Sequence, residues 1–144
     1  AQYLTELGAS AVIAADSLTA GTRPLEKAQW AGAVDSLGGE PLAALTRTMD
    51  KDGVIASIGN AAGHELVTTV MPFILRGVRL IGVNSDNDTG LREHLWQRMA
   101  GDLHPRHLGR IAKLHPFKSL PGVIDDVING KNRGRAVIMI DPAQ

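Results

Sequence analysis

A chain of 144 residues, 44% of them apolar, has the length of one domain and the material for a moderate core. Fifteen basic residues balance fifteen acidic ones, and this zero formal charge excludes the electrostatic footprint of a nucleic-acid binder or a binder of anionic membranes. With no cysteine there is no disulfide, no thiolate zinc site and no cysteine nucleophile, and no run approaches the ~20 apolar residues that cross a bilayer; a cytoplasmic location is the default expectation.

The N-terminus has no initiator Met, no basic segment and no apolar segment of a secretory signal. Tyr3, Leu4 and Leu7 before Gly8 read as the last turns of a helix with its glycine cap, so the chain is expected to begin inside an element, as a fragment of something longer. Ala11 to Ala15 reads as a short strand closing at Asp16-Ser17, and Leu18 to Lys27 as a polar connection. Trp30 to Val34 is the next predicted strand, ending at Asp35-Ser36 before a Gly38-Gly39 turn. Pro41 opens a predicted helix whose Leu42, Leu45 and Met49 recur at spacings of three and four, closed by Lys51-Asp52-Gly53.

Two short β-branched runs, Val54 to Ile58 and Val78 to Val83, read as buried strands. The first runs into Gly59 to Gly63, where small side chains let a ligand approach the backbone, and the second into Asn84 to Asp88. Between them Pro72 to Arg76 predicts one helical turn, with Pro near its first position and Gly77 just past its end. From Thr89, Leu91, Leu95, Met99 and Leu103 repeat every four residues and predict a helix capped by Thr89 and ended by Pro105. His104 to Lys118 shows no clear period. Ser119 and Pro121 then open a helix with Val123, Ile124, Val127 and Ile128 on one face, and a turn from Asn129 to Arg135 leads to a last strand, Ala136 to Ile140.

Strands alternating with helices predict an α/β protein with a mostly parallel sheet covered on both faces. Ligands of such folds bind at the carboxyl ends of strands, which here are Asp35-Ser36, Gly59 to Gly63 and Asn84-Ser85.

Several runs carry a family resemblance: Arg23 to Lys27 (RPLEK), Trp30 to Asp35 (WAGAVD), Thr68 to Arg76 (TTVMPFILR) and Val78-Arg79-Leu80 with Gly82-Val83 and Ser85. The chain resembles the acryloyl-CoA reductases, zinc-independent, quinone-oxidoreductase-like members of the medium-chain dehydrogenase/reductase superfamily. The resemblance implies a partial Rossmann-type doubly wound sheet lacking its first two strands. Residues 1–104 would belong to the NADP-binding domain, and residues 105–144 would return to an absent catalytic domain. It also implies NADPH-dependent reduction of the C=C bond of an enoyl thioester, in a homodimer. Asn60, Ile74, Ser85 and Gly130 are the positions it sets against the cofactor. The sequence departs from the family at Ala11, where Arg is usual, and at Gly130, where Asn is usual. No G-x-G-x-x-G occurs, so the pyrophosphate turn is expected upstream, and the chain alone is expected to be inactive. Two other readings stand beside this one: a quinone reductase, and a non-catalytic α/β module that self-associates.

The residue-level alternatives are plainer. Asp35 reads as a turn carboxylate rather than a general base, and Ser57 lacks a nucleophile elbow. His104, His107 and His115 lie among Arg106, Arg110 and Lys113, which repel a cation, so no metal site is expected. Arg133 and Arg135 suit a phosphate or an exposed turn equally. On spacing alone Ile74 is a core residue.

Overall fold

A computed structural model describes residues 1–86 and 88–140. Asn87, part of the loop predicted after the third strand of the sheet, lies outside the described residues. In chain order the elements are helices α1 (Gln2–Glu6) and α2 (Ala15–Thr19), strand β1 (Trp30–Asp35), α3 (Gly39–Thr48), β2 (Met49–Ser57), α4 (Met71–Arg76) and β3 (Arg79–Gly82). Then follow α5 (Thr89–Ala100), α6 (Leu108–Ile111), β4 (Ala112–Pro116), a 3₁₀ turn at Phe117–Ser119, α7 (Leu120–Ile128) and β5 (Arg135–Met139). The chain divides into two compact units, Ala11–Asn87 and Ala1–Ser10 with Asp88–Gln144.

The first unit is a three-stranded parallel sheet of order β1-β2-β3. Its strands advance in one direction, and right-handed crossovers then place α3 and α4 on the same face. That face carries the row Ala33, Ile55 and Leu80, paired in register. Ile55 and Met49 are fully buried there with Leu42 and Val78, and Trp30, Leu45 and Phe73 pack around them. The opposite row, Val34, Ala56 and Ile81, has no such cover: Val34 is 73% exposed and Ile81 49%. Within this unit the sheet is therefore covered on one face rather than both.

Met49 was expected on the α3 face, but its backbone is extended and it opens β2. The helix stops one residue earlier, where Thr46 and Thr48 bond back to the carbonyls of Ala43, Ala44 and Leu45, a competition that β-branched hydroxyl residues offer near helix ends. β2 begins irregularly: Trp30 pairs with Met49 and Gly32 with Val54, so the ladder bulges around Asp52, whose φ is +60°. The strand predicted at Ala11 to Ala15 is absent. Residues 11–14 find no sheet neighbour, and Ser17 donates to the Ala14 carbonyl at 2.6 Å as α2 begins.

α4 follows its predicted signals, with Pro72 in its first turn and Gly77 at φ +62° after its end. Its last residue, Arg76, is half-buried and reaches across the unit. The guanidinium donates to the carbonyls of Arg47 (3.0 Å) and Met49 (2.9 Å), where α3 becomes β2, and to that of Glu26, just before β1. Backbone bonds from Glu26 to Arg47 and from Gln29 to Thr48 run through the same place. A second anchor is Asp35, 3% exposed, whose carboxylate accepts from the amides of Leu37 and Gly38 and from the Ser57 hydroxyl at 3.1 Å. It ties the end of β1 to the end of β2.

In the second unit α5 is capped by Asp88, which accepts from the Leu91 amide at 2.9 Å, rather than by Thr89. The expected apolar stripe is present, yet Leu91, Leu95, Met99 and Leu103 are 42 to 53% exposed. The helix stops at Gly101, before Pro105, and Arg98 pairs with Asp102 at 2.6 Å. The side-chain hydrogen bond from Arg98 holds the Asp102 carboxyl below its ordinary pKa. The stretch without a period hides α6 and β4. β4 pairs in parallel with β5, and α7 is the crossover between them. Ser119 stands at the N-cap of α7, though its side chain makes no capping bond.

Two substitutions test these anchors. Arg76→Met removes three charge-assisted bonds to carbonyls and is expected to lower the stability of the first unit by about 3 kcal/mol. Urea unfolding followed by Trp30 fluorescence in a Trp96→Phe background measures it; an unmoved midpoint would refute the clamp. Asp35→Asn keeps the shape but turns an amide donor toward another donor. Its expected cost is about 1–2 kcal/mol, read by the same titration.

Candidate functional site

The parallel register aligns the carboxyl ends of the three strands, since Asp35 pairs with Ser57 and Ser57 with Gly82. The loops that follow them are bonded to one another. Ile58 donates to the Asp35 carbonyl at 2.8 Å, Ala62 to that of Leu37 at 2.7 Å, and Val83 to that of Ser57 at 2.9 Å. Gly38 and Gly63 form an isolated parallel bridge, so the loop after β2 lies against the loop after β1.

Small residues are required for that approach. Gly38 has φ +65°, and a Cβ there would collide with the Gly63 carbonyl; a Cβ on Gly59 would sit 2.8 Å from the Ser36 carbonyl oxygen. The glycines are thus explained by loop packing, and they leave the following residues facing outward. Asn60 is exposed, and its carbonyl accepts from Gly63 to close the turn. Ser85 is also exposed, one residue beyond Asn84, whose side-chain oxygen accepts from the Asp86 amide at 3.0 Å.

Ile74 departs from its core expectation. It is 70% exposed, while its neighbours Pro72 and Phe73 carry the inward face of α4. The short α4 turns Pro72 and Phe73 toward the core, and Ile74, next along the helix, is carried off that face. Val67, Val70 and Leu75 are also exposed, making an apolar surface of the segment between β2 and β3. Gly130 lies in the other unit, at φ +65° after α7, with open space where a side chain would be. Sequence reasoning missed the Gly38–Gly63 contact; the glycine pairs were visible, but their contact depends on register.

The remaining chemistry of the edge is modest. Asp35 is saturated by its turn and by Ser57, which leaves neither group free for acid–base or nucleophilic work. Among the described residues no group of three or more His, Asp or Glu is placed to hold a metal ion.

No family model matches the chain. The probable acrylyl-CoA reductase AcuI of Escherichia coli is 40% identical over 141 residues, 97% of this chain and 43% of that protein. The putative quinone oxidoreductase YhfP of Bacillus subtilis is 38% identical over 143 residues, again 97% and 43%. Among solved structures, E. coli YhdH with bound NADPH gives a TM-score of 0.84 at 40% identity, over 97% of this chain and 43% of that one. B. subtilis YhfP with NAD bound gives 0.89 at 37%, over 96% and 43%. Along almost its whole length the chain is therefore a homologue of the acryloyl-CoA reductase and quinone-oxidoreductase-like proteins that its sequence resembles, and it spans 43% of their length.

Proposed function

We propose that this chain is the nicotinamide-side half of a nucleotide-binding domain in an NADPH-dependent reductase of enoyl thioesters, such as acryloyl-CoA. The observation that carries the reading is the alignment of three strand ends whose loops leave Asn60 and Ser85 outward on one edge of the sheet. Ligands of open α/β sheets sit at that edge. Relatives of the same fold, solved with NADPH and with NAD, support the cofactor class.

In this reading NADPH, when bound, would supply the hydride for the β-carbon of the enoyl thioester, and the α-carbon would take its proton from solvent. Asn60 and Ser85 offer polar groups to the carboxamide half of the cofactor, and Ile74 an apolar wall. Gly130 is the contact of the C-terminal segment. Residues 1–104 serve the nucleotide and residues 105–144 return to the catalytic part. The physiological assembly is a cytoplasmic homodimer. Nucleic acid and membranes are not partners; among the described residues no helix is long and apolar enough to cross a bilayer.

Two further readings each have a supporting observation. Quinone reduction is favoured by the similarity to YhfP, close in degree to that of the acrylyl-CoA reductases. Self-association is favoured by the bare row of Val34 and Ile81 and by the unpaired outer edges of β1 and β3.

Calorimetry of the 144-residue chain with NADPH is the direct test. Heat at sub-millimolar ligand is expected, with Asn60→Ala and Ser85→Ala each weakening binding about fivefold, roughly 1 kcal/mol per lost hydrogen bond. A flat titration together with a concentration-dependent dimer in sedimentation would favour the self-associating module instead. The same chain is expected not to oxidise NADPH with acryloyl-CoA, because the pyrophosphate turn is absent from its sequence; measurable turnover would overturn that part.

A further inference from the structure

α7 ends on the one Asn-Gly pair of the chain, Asn129-Gly130. The other asparagines, Asn60, Asn84, Asn87 and Asn132, are followed by Ala, Ser, Asp and Arg. An asparagine carboxamide is open to attack by the backbone nitrogen of the next residue, and a glycine there has neither a side chain to block the approach nor a restricted backbone to prevent it.

The local structure leaves this pair accessible. Asn129 and Gly130 are both exposed, and nothing lies within 4 Å of the place where a Gly130 side chain would begin. Asn129 Nδ2 donates to the Asp125 carbonyl at 2.7 Å and the Gly130 amide to that of Val127 at 3.1 Å, while Lys131 and Asn132 close the turn on the Asp126 carbonyl. These bonds belong to the end of a nine-residue helix with no buried residue, whose Val127 and Ile128 are 54% and 75% exposed. A last turn so little covered opens without unfolding the rest. Opening frees the Gly130 nitrogen and lets Asn129 leave its near-helical backbone, φ −85° and ψ 8°. An Asp-Gly pair can close the same ring, and the single one here is protected. Asp52-Gly53 lies inside β2, where Gly53 is buried and a side chain on it would come within 2.9 Å of Met49 Cε and 3.2 Å of the Ala31 carbonyl oxygen.

We propose that Asn129 is a site of spontaneous deamidation. The Gly130 nitrogen, on losing its proton, attacks Cγ of Asn129; the new N–C bond closes a succinimide ring and the side-chain nitrogen leaves as ammonia. Water then opens the ring, and no atom changes oxidation state. Addition at the former side-chain carbonyl gives aspartate, and addition at the main-chain carbonyl gives isoaspartate, whose backbone runs through the side chain. Either product loses the Nδ2 donor to Asp125 and sets a carboxylate at the C-terminus of α7, where the helix dipole disfavours negative charge. Isoaspartate also lengthens the backbone just before Gly130, whose φ of +65° begins the turn toward β5. The modification therefore loosens the crossover between β4 and β5.

The test is incubation of the 144-residue chain in mildly alkaline buffer, followed over days by peptide mapping that separates aspartyl from isoaspartyl products. Conversion is expected first at Asn129, with isoaspartate in excess, and faster as pH rises because the attacking nitrogen must shed its proton. Asn129→Gln is the blank for that peptide. Gly130→Asn keeps a residue tolerant of left-handed backbone but adds a side chain, and is expected to slow conversion by about tenfold. Unfolding in urea is expected to speed it, since the bonds of the turn are then gone. An intact Asn129 when another asparagine has converted, or a Gly130→Asn rate equal to that of the parent chain, overturns the site. A rate in urea no higher than in the folded chain overturns the part given to opening of the last turn.

Discussion

Arg76 holds the first unit at its least regular point. Three chain segments meet where α3 ends, β2 begins and the approach to β1 passes, and Arg76 donates to a carbonyl of each. A planar guanidinium satisfies them together at the end of α4, where a cation also suits the helix dipole. Lysine would offer a point charge in place of the fork. The bulge that follows, with Asp52 at φ +60°, is tolerable because the strand on either side is already fixed by Met49 and Ile55 in the core.

From that clamp the geometry of the opposite edge follows. Fixing the start of β2 fixes its register with β1 and β3, and register decides that Asp35, Ser57 and Gly82 end level. Asp35 then converts level ends into joined loops, by holding the turn after β1 and the hydroxyl of Ser57 at once. The anchors lie at opposite ends of the same strands. Their work is complementary: one sets where the strands begin and the other where the loops leave.

Much of this was legible in the residues because the deciding physics is local. Pro72 and Gly77 bracket α4 for reasons of backbone geometry alone, and Asp35 before Ser36-Leu37-Gly38 reads as a turn carboxylate. What failed was decided by partners out of sequence reach. Met49 continues the helical spacing of Leu42 and Leu45, yet the core takes it from a strand. Ala11 to Ala15 has strand composition without a strand to pair with. β4 was missed because Ala112 to His115 alternates over only four residues before Pro116, too short a run to stand out, and the parallel match with β5 is what makes it a strand. Of the candidate positions, Asn60 and Ser85 were read as loop residues after β2 and β3, where the structure has them, whereas Ile74 was given to the core by spacing and stands exposed.

The exposed side chains at the edge bear on function differently from the buried ones. Asp35, Gly38 and Gly59 are accounted for by folding: remove any of them and a turn or a close backbone approach is lost. Asn60, Ile74 and Ser85 contribute little to the fold, since only the backbone of Asn60 is used and Ile74 leaves 70% of its surface open. A single exposed apolar residue is ordinary, but Ile74 stands with Val67, Val70 and Leu75 on one short connection, and a patch of that kind costs solvation unless something covers it. Residues that folding does not require, on an edge that folding has made level, are where binding chemistry can be changed without disturbing the sheet. The division of labour between Asp35 and Asn60, separated by one loop contact, is the physical basis for looking for ligand there rather than in the core.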